Sequence, residues 1–395
     1  MTAADPKFFL IAGEPSGDRL GAALLSGLRD ELGAPPQVDG VGGPEMAAEG
    51  LESRFPMEDL SVMGVAEVLP RLPLLLRRIR ETAEAVVAAR PDALVTIDSP
   101  DFTLRVARRA RQQLPDLKVI HYVAPSVWAW RPGRAAKMAK VVDHVLALLP
   151  FEPPYMEAAG LTCDFVGHPV VTEPQPSAAD IDRFRAEFAP GDGPLLLLLP
   201  GSRGGEVFRL GPDFLQAAGQ VQADRPDVQL LMQTVGPQAE TLRDMIAGSG
   251  LSVRLLEPGD LPAEAALARK RACFAAADLA LAASGTVSLE LAAASTPMVI
   301  AYRGAKFSQF LARRLVKLDT VTLVNILTDS RIVPEYLLED CTPAALAGGV
   351  AALLDDPDAM AAQKAAFATS MTLLGQGDLP PGRRAARSVL DQIRP

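Results

Sequence analysis

The sequence predicts an α/β chain of two facing, doubly wound domains, and three observations lead there. Leu195-Leu196-Leu197-Leu198-Leu199 places five leucines in a row, too few to span a bilayer and the pattern of a strand buried on both faces. The chain opens on a second run of the same kind, Phe8-Phe9-Leu10-Ile11-Ala12, and each run leads into a loop of small residues and then a helical pattern. The third observation is size: 395 residues, 49% of them hydrophobic, suffice for two cores. One strand–loop–helix unit begun twice gives two Rossmann-like domains. Their expected bounds are 1–172 and 195–357, with a proline-rich linker at 173–194 and a helical tail at 358–395.

Taken in order, the strand at 8–12 ends in Gly13-Glu14-Pro15-Ser16-Gly17-Asp18, read as a loop, and Leu20, Leu24, Leu25, Leu28 and Leu32 then mark one helix face. Val38–Val41 is a short strand, and Gly42-Gly43-Pro44 turns into a helix ending near Glu49. Residues 60–80 combine apolar bulk with clustered cations: Leu72, Leu74, Leu75 and Leu76 stand beside Arg71, Arg77, Arg78 and Arg80. That combination suits contact with an anionic membrane surface, and it suits a core helix with snorkelling arginines equally well. Ala93–Ile97 is a strand ending in Asp98-Ser99-Pro100-Asp101. A carboxylate just past a parallel strand's carboxyl end stands where open α/β sheets do chemistry, so Asp98 is a candidate acid or base and Asp101 a candidate helix cap.

Lys118–Val123 is a strand leading to a proline-containing loop with Ser126, Trp128, Trp130 and Arg131, which holds both tryptophans of the chain. Two tryptophans there suggest a ligand or interface surface. Strands follow at 145–149 and from Cys163. In the linker, Asp180-Ile181-Asp182 resembles a metal-binding pair but opens a short helix, where acids complement the dipole. After the leucine strand, Gly201, Ser202, Arg203, Gly204 and Gly205 form a loop before a helix from Glu206. Bare N–H groups, a helix start and one guanidinium suit a diphosphate, and a solvated βα turn is the plain alternative. Strands at 228–232, 253–256 and 278–283 come next. The last ends in Ser284-Gly285-Thr286, a second anion cradle, with Glu290 one turn on as a partner for ribose hydroxyls or as a dipole-complementing acid. A strand at 297–302, a basic amphipathic stretch at 306–318 and a helix at 343–355 complete the chain.

Composition narrows the partners. Net charge is −9, which disfavours general nucleic-acid binding, yet residues 71–140 carry 14 Lys and Arg against 6 Asp and Glu, a local +8. A cationic zone in an acidic chain points to an anionic surface or substrate. Cys163, Cys273 and Cys341 are far apart, and His121, His144 and His168 lack ligand spacing, so neither a disulfide framework nor a metal site is expected. No signal peptide and no transmembrane run is visible.

Together these stretches resemble the lipid A disaccharide synthase family. The likeness rests on IAGEPSGDRLGA (11–22), GVGGPEM (40–46), VMGVAEVL (62–69), DSPDF (98–102), HYVAPSVWAWRPGR (121–134), LPFE (149–152), FVGHP (165–169), LLPGSRGGEV (198–207), SGTVSLE (284–290), PMVIAYR (297–303) and LVNIL (323–327), in family order. Pro15 and Ser99 stand where alanine is familiar. The resemblance implies the GT-B glycosyltransferase architecture and a metal-independent, inverting transfer with no cofactor. The reaction it implies joins UDP-2,3-diacylglucosamine to 2,3-diacylglucosamine 1-phosphate and releases UDP. On it, Asp98 is the general base. Gly201, Ser202, Arg203, Glu206, Ser284, Gly285, Thr286 and Glu290 take the nucleotide. Gly13, Glu14, Ser16, Gly17, Asp18, Ser126, Trp128, Trp130 and Arg131 line the acceptor and acyl side, where Asp101 and His121 are candidates to assist Asp98. Leu72, Leu74, Leu75, Leu76, Arg77 and Arg78 meet the membrane, at the cytoplasmic face of the bacterial inner membrane. The tail packs on its own first domain or on a second copy, as a homodimer. UDP-sugar epimerases and a binding module without turnover are the rival readings, separated by whether UDP release needs a lipid acceptor.

Overall fold

The computed structural model describes residues 6–60, 65–128, 133–303 and 320–394, with side chains of 65–69 excepted. Trp130, Arg131 and the basic stretch 306–318 lie outside the described residues. The chain divides into two compact units, Met1–Thr172 with Leu374–Pro395, and Glu173–Leu373.

The first unit is built on six parallel strands: β1 (Lys7–Ala12), β2 (Gln37–Val41), β3 (Ala93–Ile97), β4 (Lys118–Tyr122), β5 (His144–Ala147) and β6 (Thr162–Phe165), ordered β2-β1-β3-β4-β5-β6. Alternation along β1 explains its unbroken hydrophobicity. Phe9 and Ile11 enter one core with Val106, Val119 and Val145. Phe8, Leu10 and Ala12 enter the other with Leu24, Leu28, Ile120 and Leu146. Both faces are covered, so every position from Phe8 to Ala12 is apolar and buried.

The second core includes Ala385, Ala386, Val389 and Leu390 from the helix Pro381–Ile393. That helix lies against Pro15–Leu32 so closely that a Cβ at Gly27 would meet the Gly382 carbonyl at 2.4 Å, and one at Gly382 the Ala23 carbonyl at 2.3 Å. Glu31 takes ion pairs from Arg383 and Arg387, at 2.5 and 3.0 Å. Ser388 donates to Asp164 at 2.6 Å and lies 2.8 Å from His144 Nε2. The expected tail therefore divides: the helix Pro357–Leu373 goes with the second unit and the last helix with the first.

The second unit repeats the plan with β7 (Leu195–Leu199), β8 (Gln229–Gln233), β9 (Val253–Leu256), β10 (Leu279–Ala283), β11 (Met298–Tyr302) and β12 (Glu335–Leu337), all parallel, ordered β12-β11-β10-β7-β8-β9. Every leucine of β7 is buried. The segment expected as a linker packs as part of this unit: its helix Ala178–Phe188 starts with a capping box between Ser177 and Asp180, and Arg185 pairs with Asp278 at 2.8 Å. Among the described residues, no helix is long and apolar enough to cross a membrane.

Candidate functional site

Strand order fixes where each sheet opens. In the first unit the chain runs from β1 to β2 on one side and then crosses to β3 on the other. Connections leaving two neighbouring strands in opposite directions open a crevice between their carboxyl ends. Gly13 follows β1 and Asp98 follows β3. In the second unit β8 and β9 lie on one side of β7 and β10, β11 and β12 on the other, so the switch point falls between Pro200–Gly205 after β7 and Ser284–Thr286 after β10. Both groups of sequence-predicted residues therefore stand at the switch point of their own sheet.

At the first, backbone strain is concentrated. Asp98 and Ser99 have φ of 50° and 44°, and Val123, after the neighbouring β4, has φ of 86°. Non-glycine residues avoid this left-handed region, β-branched ones most of all, and such strain gathers at functional sites. The turn is held from beneath: Thr103 Oγ1 donates to the Asp98 and Ser99 carbonyls at 2.9 and 3.1 Å, and the Asp98 N–H donates to Tyr122 at 3.0 Å. Asp98 itself is half-buried, and its carboxylate accepts no hydrogen bond among the described residues. Ser99 packs on Gly13, where a Cβ would lie 2.7 Å from the Ser99 hydroxyl oxygen. Only glycine lets the two loops approach this closely.

Several expected roles change. Ser16, Gly17 and Asp18 are not a loop, because the helix begins at Pro15 with Glu14 at its cap position. Asp18 is 1% exposed, and its carboxylate accepts from the N–H groups of Gly43, Glu45 and Met46 at 2.8, 2.9 and 3.1 Å. It caps the helix Pro44–Ala48, and its burial turns it away from solvent. Asp101 is not a cap: the helix Pro100–Arg111 has Ser99 in that position, and Asp101 is an exposed acid of its first turn. His121 lies inside the sheet, its Nδ1 2.8 Å from Thr96 Oγ1. Burial alone lowers its pKa to about 4, so it stays neutral. Arg78 is occupied, paired with Asp59 at 2.6 Å and Glu81 at 3.0 Å with its guanidinium over Phe55. Leu72, Leu76 and Arg77 on the helix Val65–Ala89 are exposed, and Leu74 and Leu75 are partly so.

Ser126 is exposed, and Trp128 is half-buried with its indole edge-on to Phe151, centroids 5.2 Å apart. Its Nε1 donates to Glu152 at 3.3 Å. The reading from sequence singled out neither Glu152 nor Lys270. Glu152 lay in a quoted motif without an assigned role, and Lys270 sits in an alanine-rich stretch with no periodicity to reveal it.

At the second unit's switch point, Gly201 has φ of 116°, and a Cβ there would lie 2.7 Å from Glu206 Cβ. Glycine is required on both counts. Glu206 accepts from the Arg203 N–H at 3.4 Å and from Arg203 Nη1 at 3.3 Å, leaving the guanidinium 67% exposed. The N–H groups of Gly201, Ser202, Gly204 and Gly205 have no carbonyl partner among the described residues. With the start of the helix Gly204–Asp224, they make a positive cradle for an anion. After β10, Ser288 Oγ donates to Gly285 at 2.8 Å and shapes the Ser284–Thr286 turn. Glu290, in the first turn of Val287–Ala293, is ion-paired with Lys270. Among the described residues, no cluster of three or more acids, histidines or cysteines could hold a metal ion.

The chain is similar to known proteins over nearly its whole length. The sequence model of the lipid-A-disaccharide synthetase family matches residues 8–378. The lipid-A-disaccharide synthase of Ruegeria pomeroyi is 58% identical over 388 residues, 98% of this chain and 95% of the relative. That of Rhodospirillum centenum is 51% identical over 389 residues, covering 98% and 94%. Among solved structures, a UDP-GlcNAc 2-epimerase from Neisseria meningitidis superposes with a TM-score of 0.64 at 11% identity, covering 98% of each chain. A glycosyltransferase from Rickettsia africae gives 0.59 at 12%, covering 99% and 98%. Those two share the fold, and the sequence relatives share more: the chain belongs to the lipid-A-disaccharide synthetase family.

Proposed function

We propose that Asp98 is the general base of this family's reaction and that the loops 201–206 and 284–290 hold the departing nucleotide. The chain is a glycosyltransferase of lipid A biosynthesis, joining UDP-2,3-diacylglucosamine to 2,3-diacylglucosamine 1-phosphate and releasing UDP. The observation that carries the base assignment is the Asp98 turn: a half-buried carboxylate that accepts no hydrogen bond among the described residues, on two consecutive left-handed residues. Asp18, expected on the acceptor side, instead accepts from three backbone N–H groups.

In this reading Asp98 takes the proton from the acceptor 6-hydroxyl as that oxygen attacks the donor C1. One base suffices for a single inverting displacement. Arg203 and the N–H groups of Gly201 and Ser202 stabilise the diphosphate as charge develops on it, with the Ser284–Thr286 turn beside them. Glu290 takes the ribose hydroxyls. The acceptor sugar belongs with Gly13, Ser126, Trp128 and the exposed first turn at Ser16. Leu72, Leu74, Leu75 and Leu76 with Arg77 meet an anionic bilayer in this reading, both substrates being acylated anions, and the site of reaction proposed is the cytoplasmic face of the inner membrane.

The test is UDP release by the purified protein, with UDP-2,3-diacylglucosamine alone and then with 2,3-diacylglucosamine 1-phosphate, with product mass read in parallel. Acceptor-dependent release with a disaccharide mass is expected. Release of UDP without acceptor, or a sugar isomer of unchanged mass, would reassign the chain to another reaction of the same fold.

A further inference from the structure

Glu152, in the segment after β5, is a carboxylate where carboxylates are costly. It is 3% exposed, and no lysine or arginine among the described residues contributes to its electrostatics. A buried acid without a cation is held by hydrogen bonds. Two N–H groups converge on it: Leu149 N donates to Oε2 at 3.0 Å and Trp128 Nε1 donates to Oε1 at 3.3 Å. Burial pushes its pKa up to about 7 while these donors pull the other way. Where such a group only fills space, an apolar side chain of similar volume does as well or better. What the carboxylate adds is direction. Its oxygens are tied to the backbone below and to one indole above.

That indole belongs to the neighbouring strand's loop. Trp128 follows β4, and Phe151, against which it stands edge-on at 85°, precedes Glu152. The ends of β3, β4 and β5 are stitched in sequence, by Asp98 N–H to Tyr122 and by Val123 N–H to Leu146, each at 3.0 Å. The clamped tryptophan thus stands on the loop next to the strand that ends in Asp98. A half-buried indole with its N–H spoken for offers an apolar face, the complement of a sugar ring or the root of an acyl chain.

We propose that Glu152 is a positioning residue of the transfer reaction: it fixes Trp128, and with it the 124–128 loop, in the orientation that receives the acceptor lipid. The inference rests on the acceptor-side reading above.

The test uses the full-length protein and steady-state kinetics with each substrate varied in turn. Glu152→Gln is nearly isosteric, but its amide has one carbonyl oxygen, so one of the two donors faces an NH2 group. The expected result is a rise of about tenfold in the acceptor KM, the size of one lost charge-assisted hydrogen bond, with the donor KM within about twofold. Trp128→Phe keeps an aromatic ring and removes the N–H. It should give the same one-sided rise, and the double variant should be no worse than either single, because both remove one contact. An unchanged acceptor KM in Glu152→Gln, an equal rise in both KM values, or fully additive effects would overturn the proposal. If Glu152→Gln fails to fold, Trp128→Phe, which leaves the carboxylate and its backbone donor in place, decides by the same split. A parent protein that makes no disaccharide overturns the substrate reading and this proposal with it. An active parent with indifferent variants overturns the positioning role alone.

Discussion

Asp98 and Asp18 both lie by the carboxyl edge of one sheet, and their surroundings give them opposite work. Asp18 is spent on three backbone N–H groups, whereas Asp98 on its strained turn accepts no hydrogen bond among the described residues. Asp98→Ala should therefore lose about 10²- to 10⁴-fold in turnover with an unchanged circular dichroism spectrum and UDP affinity, and near-parental turnover would remove it from the base role. Asp18→Ala should instead lower the melting temperature. Sequence showed that both aspartates follow a predicted strand, but it could not show which one accepts backbone N–H groups, because those that bind Asp18 lie 25 to 28 residues away. Burial also sets a pH dependence. Between about pH 4.5 and about pH 7 the folded chain keeps a proton on Glu152 that the unfolded chain releases, so its contribution falls as pH rises, on the order of 3 kcal/mol in all. His121 and His168, both lowered to about 4, act in the opposite sense, and their contribution is lost as pH falls from 6.5 towards 4. Thermal scans at pH 5, 6 and 7 should show Glu152→Gln gaining more stability with pH than the parent does, and parallel curves would show that Glu152 does not titrate in this window.

Among the elements, periodicity served where one face was polar and failed where it was not. The helix Ala263–Ala276 carries alanines and cations around its whole circumference, so no stripe marks it, yet it delivers Lys270 to Glu290. The strand Glu335–Leu337 is three half-buried residues at a sheet edge, too short for alternation to register. Around residues 60–80, the leucine and arginine cluster was legible as composition, but not as one helix running from Val65 to Ala89 through Pro70 and Pro73. Its two candidate roles divide by residue. Arg78 belongs to the protein, bound to Asp59 and Glu81, while Leu72 and Leu76 are 39% and 45% exposed. Replacing Leu72 and Leu76 by serine should reduce sedimentation with anionic liposomes severalfold at unchanged melting temperature, since little buried area is lost. Arg78→Ala should do the reverse, lowering stability more than binding. Equal sedimentation of the Leu→Ser variant and its parent would show that this helix is not the membrane contact.

At the scale of the whole molecule, two strand-and-loop starts sufficed to predict two doubly wound sheets, because each needs a continuous hydrophobic run and a glycine turn that sequence displays directly. The same logic could not place the last twenty residues. A helix that closes a core far back in the chain shows only a stripe of apolar residues, and that stripe names no partner. The structure supplies one: Ala385, Ala386, Val389 and Leu390 complete the core under β1, β3 and β4, and Gly27 and Gly382 bring the two helix backbones into contact. The first unit is thus a sheet whose cover arrives after the entire second unit has been made. Deleting the residues after Leu373 should uncover Leu24, Leu28 and Phe8 while leaving every residue of the second core in place. Hydrogen exchange followed by mass spectrometry should then show protection lost in β1, β3 and β4 and kept in β7, β10 and β11, together with loss of transferase activity. Uniform loss across both sheets would mean that the cover stabilises the chain as one cooperative whole, and unchanged protection in β1 would mean that Pro381–Ile393 is dispensable to the core it lines.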